Sequence, residues 1–224
     1  MSAFMNSLHP PKTNIKSDEK KVEEGRRVFV KAGCITCHGG NYLTNNKLIP
    51  VEEIKTDTSR AKGFQAAENY FSLPSIYDPS TPVPLPENPV VMEIPLTKEQ
   101  NEQLRLGWAQ GGTNGAYKTT SLIGLNWSAP YLHDGGVAVG KDLVNEVGVP
   151  GTILSNKKPD PRNSLLAMID SSLRKKVIKT NNENHNLKTA HISGKGHEFW
   201  VDSSTGFTKE QQQALIDYLL KVSD

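Results

Sequence analysis

The segment Cys34-Ile35-Thr36-Cys37-His38 constrains this 224-residue chain more than any other, because it gathers the only two cysteines of the sequence beside an imidazole. In C-x-x-C-H spacing, one helical turn presents two thiols to one edge of a porphyrin, where they form thioether bonds to its two vinyl groups. The histidine that follows turns its ring to the iron. The pattern predicts one covalent haem c on Cys34, Cys37 and His38. A thioredoxin-like redox pair, half of a zinc site and chance spacing compete with it. A redox pair belongs beside a βαβ pattern, and a structural zinc needs a second Cys or His pair at short spacing. Neither accompanies these residues.

Composition narrows the remaining choices. Hydrophobic residues make up 36% of the chain, and 18 glycines and 14 prolines raise the loop content. These values exclude a membrane span and a coiled coil, and two cysteines are too few for a disulfide scaffold. The net charge of +2, with no long like-charge block, gives no nucleic-acid stripe and no polybasic anchor. Asp134, Asp142 and Asp160 lie too far apart to form a calcium loop.

Periodicity supplies the elements. Asp18 to Ala32 carries Val22, Phe29 and Ala32 with Gly25 in one stripe, and Thr208-x-x-Gln211 is a capping box opening a helix striped by Ala214, Leu215, Tyr218, Leu219 and Val222. A second box, Thr97-x-x-Gln100, opens a helix to about Gly107. Further helices are expected over Lys141–Val147 and Ser164–Ile178, the latter from Leu165, Ile169, Leu173 and Val177. Seven prolines between Leu73 and Pro95 predict an extended, polyproline-like loop. No strand alternation stands out. The reading is an all-α domain with long loops over 17–224, preceded by an arm or linker at 1–16.

The two terminal helices resemble the crossed N- and C-terminal helices of class I cytochromes c, with Gly25 and Phe29 at the crossing and Tyr218-Leu219 opposite. That resemblance implies that the Pro50 carbonyl receives the second imidazole N–H of His38. The stretch Lys118-Thr119-Thr120-Ser121-Leu122, followed by Ala129-Pro130-Tyr131-Leu132-His133-Asp134-Gly135, is similar to the C-terminal haem domain of bacterial di-haem cytochrome c peroxidases and their relatives. Leu43-Thr44-Asn45-Asn46 and Gly194-Lys195-Gly196-His197-Glu198-Phe199 look most like the rubber-oxygenase branch, and the likeness runs from about Gly25 to Leu220. Val147 stands where peroxidases of the superfamily tend to carry an iron-binding methionine. The resemblance implies His197 as the second axial ligand to iron, with His191 and Met92 as alternatives. Met168 reads as core packing, and His185 and His9 as loop residues. His133 and Trp127 are expected near the haem, Trp127 toward a neighbouring haem domain. Trp108, Tyr131, Phe199 and Trp200 are further candidates to line the pocket.

These readings make the chain an electron-transfer haem domain, a relay haem having no open position for oxygen or peroxide. It would work with another haem domain or redox protein, outside the cytoplasmic membrane. Met1 to Pro11 has no signal-peptide pattern, and a preceding cytochrome domain is expected upstream. The alternatives are part of a di-haem peroxidase or oxygenase, and a structural or sensory haem domain.

Overall fold

A computed structural model describes residues 8, 11, 18–68, 70, 76–92 and 94–222. Apart from Leu8 and Pro11, the arm at 1–16 with its His9 lies outside the described residues, as do Leu73 and Pro74 of the proline-rich stretch. The described residues are mostly helical, with ten α-helices and four strands of two or three residues. They fall into two compact units, the first from 1–47, 52–57 and 118–224, the second from 48–51 and 58–117.

The first unit is built on helix α1 (Glu19–Lys31) and the C-terminal helix, which pack face to face. Asp18 caps α1 by accepting from the Lys20 N–H, and the stripe expected of it buries Gly25, Val28 and Phe29. Gly25 is required by this packing: a Cβ there would lie 2.6 Å from Tyr218 Cβ and from the Ala214 carbonyl carbon. Phe29 meets Tyr218 with ring centres 5.4 Å apart. These helices share one core with Val137, Val139, Leu165, Leu173 and Val177, against which Cys34 also packs.

Between them in the chain come α2 (Val51–Ile54) and, in the first unit, α5 (Leu125–Ser128), α6 (Gly148–Gly151), α7 (Pro161–Ile169), α8 (Ser171–Glu183) and α9 (His185–Thr189). The chain closes on α10 (Lys209–Val222). The helix expected over Ser164–Ile178 is two helices. Asp170 ends α7 and caps α8 by accepting from the Leu173 N–H at 2.8 Å, so a local side-chain bond replaces the through-going ladder. Leu165, Ile169, Leu173 and Val177 are nonetheless all buried. No helix forms over Lys141–Val147. Asp142 Oδ1 accepts from the N–H groups of Val144 and Asn145, a turn that competes with helix, and Leu143 and Val144 are exposed. The polar run at His185 is the capped start of α9 rather than a loop, with Asn184 accepting from the Leu187 N–H.

The second unit holds α3 (Ser59–Ala66) and α4 (Lys98–Gly107), the latter opened by the expected Thr97/Gln100 box. Strand β1 (Leu48–Pro50) pairs with β4 (Ala116–Lys118), and β2 (Ile76–Tyr77) pairs antiparallel with β3 (Val91–Met92). Val51, Ala61 and Ala109 form its core with Phe64 and Tyr117. The described proline-rich residues are largely exposed, and the β2–β3 pair within them is a short ladder where an extended loop was expected. No described helix is long and apolar enough to cross a membrane.

Candidate functional site

Cys34 and Cys37 begin and follow a single 3-10 turn, Cys34–Thr36, entered through Gly33 at φ 77°. The left-handed glycine ends α1 and redirects the chain so that both thiols and His38 leave one short turn. Both cysteines are free and half-buried. Burial pushes the Cys34 thiol up to about 11, which leaves little thiolate and argues against a reactive redox pair. Among the described residues, no three or more His, Cys, Asp or Glu side chains converge as a metal-binding cluster, so the zinc reading gains no further ligands.

Residues 40–47 turn the chain back over this motif. Leu43 sits at φ 51°, the Asn45 N–H donates to the Cys37 carbonyl at 2.8 Å, and the Asn45 side chain donates to the Thr36 carbonyl. That turn delivers the Leu43 carbonyl to His38 Nδ1 at 3.1 Å. The acceptor expected at Pro50 is therefore supplied by Leu43, because the turn brings the nearer carbonyl back first; Pro50 ends β1. A bond of this kind puts the proton on Nδ1 and leaves the Nε2 lone pair for a metal. Burial lowers the His38 pKa, against the opposing pull of the Leu43 and Thr120 carbonyls. The Thr44 hydroxyl donates to the Thr119 carbonyl and Ser121 Oγ to the Tyr42 carbonyl, which ties Leu43–Asn46 to the Lys118–Leu122 segment.

The second histidine is held by the turn 193–197. The His38 and His197 ring centres are 6.2 Å apart, with the planes at 55°. Two metal–imidazole bonds of about 2 Å pointing at each other from opposite sides of one ion put ring centres roughly 6 Å apart. His197 is half-buried at φ 53°, and its N–H donates to the Ile54 carbonyl at 2.8 Å. His197 Nδ1 is buried without a hydrogen-bond partner. Burial first, then the nearby His38 and Arg174, push the ring's pKa down to about 4, so it is neutral near pH 7 with a lone pair to offer. Phe199 stands edge-on to it at 5.0 Å.

Hydrogen bonds from around the unit hold this turn. Asp134 Oδ2 accepts from the N–H groups of Ser193 and Gly194 at 2.9 and 2.8 Å, while its Oδ1 accepts from Gly136. Asn181, fully buried on α8, donates to the carbonyls of Gly136 and Ser193. Thr56 Oγ1 donates to the Lys195 carbonyl and lies 3.2 Å from His133 Nδ1. A Cβ on Gly136 would sit 2.6 Å from Gly194 Cα, and one on Gly196 2.7 Å from Thr56 Cα, so both glycines allow backbone to touch backbone. Comparison with protein-family models, with curated proteins and with solved structures finds no match.

The remaining candidates scatter. His133 is exposed and meets Thr56. His191, at φ 57°, is exposed with Nδ1 3.7 Å from Asp57. Met168 Sδ accepts from Arg174 Nη2 at 3.0 Å, and Met92 lies exposed on β3 of the second unit. Trp108 stacks edge-on against Phe64 in that unit. Tyr131 is core, its hydroxyl donating to the Leu125 carbonyl at 2.8 Å. Trp127 is 54% exposed, and its indole N–H donates to the Pro11 carbonyl. Sequence reasoning missed Arg174 and Asn181 and took Asp134 for a scattered acid. The signal for Asp134 is the Gly-Gly that follows it; for Arg174, its place three residues before Val177 and seven before Asn181, on one buried helix face.

Proposed function

We propose that this chain is a c-type cytochrome domain holding one haem covalently through Cys34 and Cys37, with His38 and His197 as the two axial ligands, and that it transfers electrons. The observation that carries this reading is the 6.2 Å separation of the two imidazoles, each on a backbone turn of its own. The group fits the residues: half-buried free thiols on one turn, a His38 tautomer set by the Leu43 carbonyl, and a neutral His197. When bound, the haem iron supplies a one-electron couple. The protein's part is to keep both imidazoles neutral and oriented, so that neither solvent nor a small oxidant finds an open coordination position.

The helix pair at Gly25 and Tyr218 supports a cytochrome c-like fold. The proposed kinship with the C-terminal haem domain of di-haem peroxidases and rubber-oxygenase-like proteins rests on the sequence likeness of 118–122, 129–135 and 194–199, two of which meet where Asp134 accepts from the Gly194 N–H. On this reading the partner is another haem domain or redox protein, and maturation takes place outside the cytoplasmic membrane.

The test is the protein produced with a cytochrome c maturation system in a periplasm. Its intact mass should exceed the polypeptide by one haem, its ferric spectrum should be low-spin, and His197→Ala should turn it high-spin and let the ferrous form bind carbon monoxide. Bare thiols overturn the reading. A wild-type spectrum that is already high-spin and binds carbon monoxide moves the function to the oxygenase or peroxidase alternative.

A further inference from the structure

The residue that links the turn at 193–197 to the helical core is an arginine buried without an acid against it. Arg174 is 1% exposed, on the first turn of α8. Its Nη1 donates to the carbonyls of Gly194 and Gly196, both at 2.9 Å, its Nε to the Ala167 carbonyl at 2.7 Å, and its Nη2 to the Met168 carbonyl and sulfur. Every contact is a neutral acceptor. The two acids that act on it electrostatically, Asp134 and Glu198, make their bonds elsewhere: Asp134 to three backbone N–H groups, Glu198 to Lys55 at 3.7 Å. The guanidinium lies over the Trp200 ring at 5.7 Å. A cation held this way costs desolvation that carbonyl dipoles only partly return, so a neutral side chain would serve packing alone at less cost.

We propose that Arg174 is the positioning residue for His197, its planar guanidinium, anchored on the Ala167 and Met168 carbonyls through Nε and Nη2, fixing the Gly194 and Gly196 carbonyls through Nη1 and hence the φ 53° backbone of the histidine, and that its charge favours the reduced state of iron bound there. The second half rests on the haem reading above; the first does not. The fork geometry is what lysine lacks, since one ammonium cannot span both carbonyls and the Ala167 site with fixed directions. The electrostatic half follows from sign: a nearby fixed cation disfavours the ferric state, which carries one more positive charge.

The experiment compares wild type with Arg174→Lys and Arg174→Met in the protein as isolated, with Val177→Ala as a control. Val177 is fully buried on the same helix and has no part in the turn. Amide exchange of Gly194 and His197 should quicken at least tenfold in both Arg174 variants and less than twofold in the control. In haem-loaded protein both variants should show a high-spin fraction. At a fixed electrode potential the ferrous-to-ferric ratio should fall at least threefold in Arg174→Met and less in Arg174→Lys, which keeps the charge. Unchanged exchange of the two amides in Arg174→Lys overturns the positioning role, and that variant decides the matter if Arg174→Met does not fold. A ratio that moves equally in Met, Lys and Val177→Ala overturns the electrostatic role. If the isolated protein carries no haem, the functional reading and the electrostatic half fail together, while amide exchange still decides the first half.

Discussion

Asp134 and Arg174 hold the two polar groups of one residue: the Gly194 N–H donates to Asp134 Oδ2 at 2.8 Å, and the Gly194 carbonyl accepts from Arg174 Nη1 at 2.9 Å. The peptide groups on either side of that glycine are thereby fixed from opposite directions by an anion and a cation that do not pair with each other. Backbone that lies away from any helix or strand ladder must find such partners, and charged ones bind more strongly than neutral ones.

Asp134→Asn follows directly. The carboxylate satisfies three N–H groups, and an amide replaces one of its acceptor oxygens with a donor that faces an N–H. We expect a loss of about 2 kcal/mol, read as a lower urea midpoint with an unchanged slope. A midpoint equal to that of wild type would mean that the clamp contributes nothing to the fold.

Gly25→Ala should be costlier than its single methyl suggests. The new Cβ meets backbone of α10 at Ala214 as well as Tyr218 Cβ, and backbone cannot swing away. Separating α1 from α10 opens the core around Phe29 and Leu215, so a destabilisation of about 3 kcal/mol is expected, measured by chemical denaturation. Gly63→Ala is the control: its Cβ would meet nothing within 4 Å on the exposed side of α3, and it should be neutral or slightly stabilising.

Much of this was legible in the sequence where a local rule governs. The capping boxes at Thr97 and Thr208 and the stripe on α1, with Gly25 in it, follow from spacing alone, because their partners are within four residues or along one helix face; the packing of Gly25 against α10 was legible only through the resemblance. That Cys34, Cys37 and His38 share one short turn was legible for the same reason. What could not be read is what depends on return of the chain. The Leu43 carbonyl reaches His38 through a left-handed turn, Asp170 takes over a helix that apolar periodicity would continue, and Arg174 meets carbonyls 20 and 22 residues away. Asn181 sits in a run of polar residues that reads as solvated, yet it is fully buried because three backbone groups need it.

Acid should loosen the start of α8 before the rest. Burial by itself would raise the pKa of Asp202, but hydrogen bonds from Ser204 and Ser171 outweigh it and hold the carboxylate down to about 2, against an ordinary 3.8. A depressed carboxylate gives stability that is complete above pH 3.8 and is lost as pH falls toward 2, because the unfolded chain takes up the proton first. The amount is about 2 kcal/mol. Asp202→Asn should lose this increment at neutral pH and flatten the stability profile between pH 4 and pH 2. A profile as steep as that of wild type would assign the acid sensitivity to another carboxylate.

Trp127 separates stability from electron transfer. Its ring is half exposed and makes one indole hydrogen bond, to the Pro11 carbonyl at 2.9 Å, so Trp127→Phe removes one exposed bond and little packing. Stability should change by no more than about 0.5 kcal/mol. If this surface faces a second haem, as the resemblance to di-haem proteins implies, the smaller ring weakens the contact through which the electron passes. The inter-haem or partner transfer rate should then fall severalfold in stopped-flow or photo-reduction measurements while the thermal midpoint stays in place. An unchanged rate removes Trp127 from the path and shifts attention to Phe199, exposed at 47% and edge-on to His197.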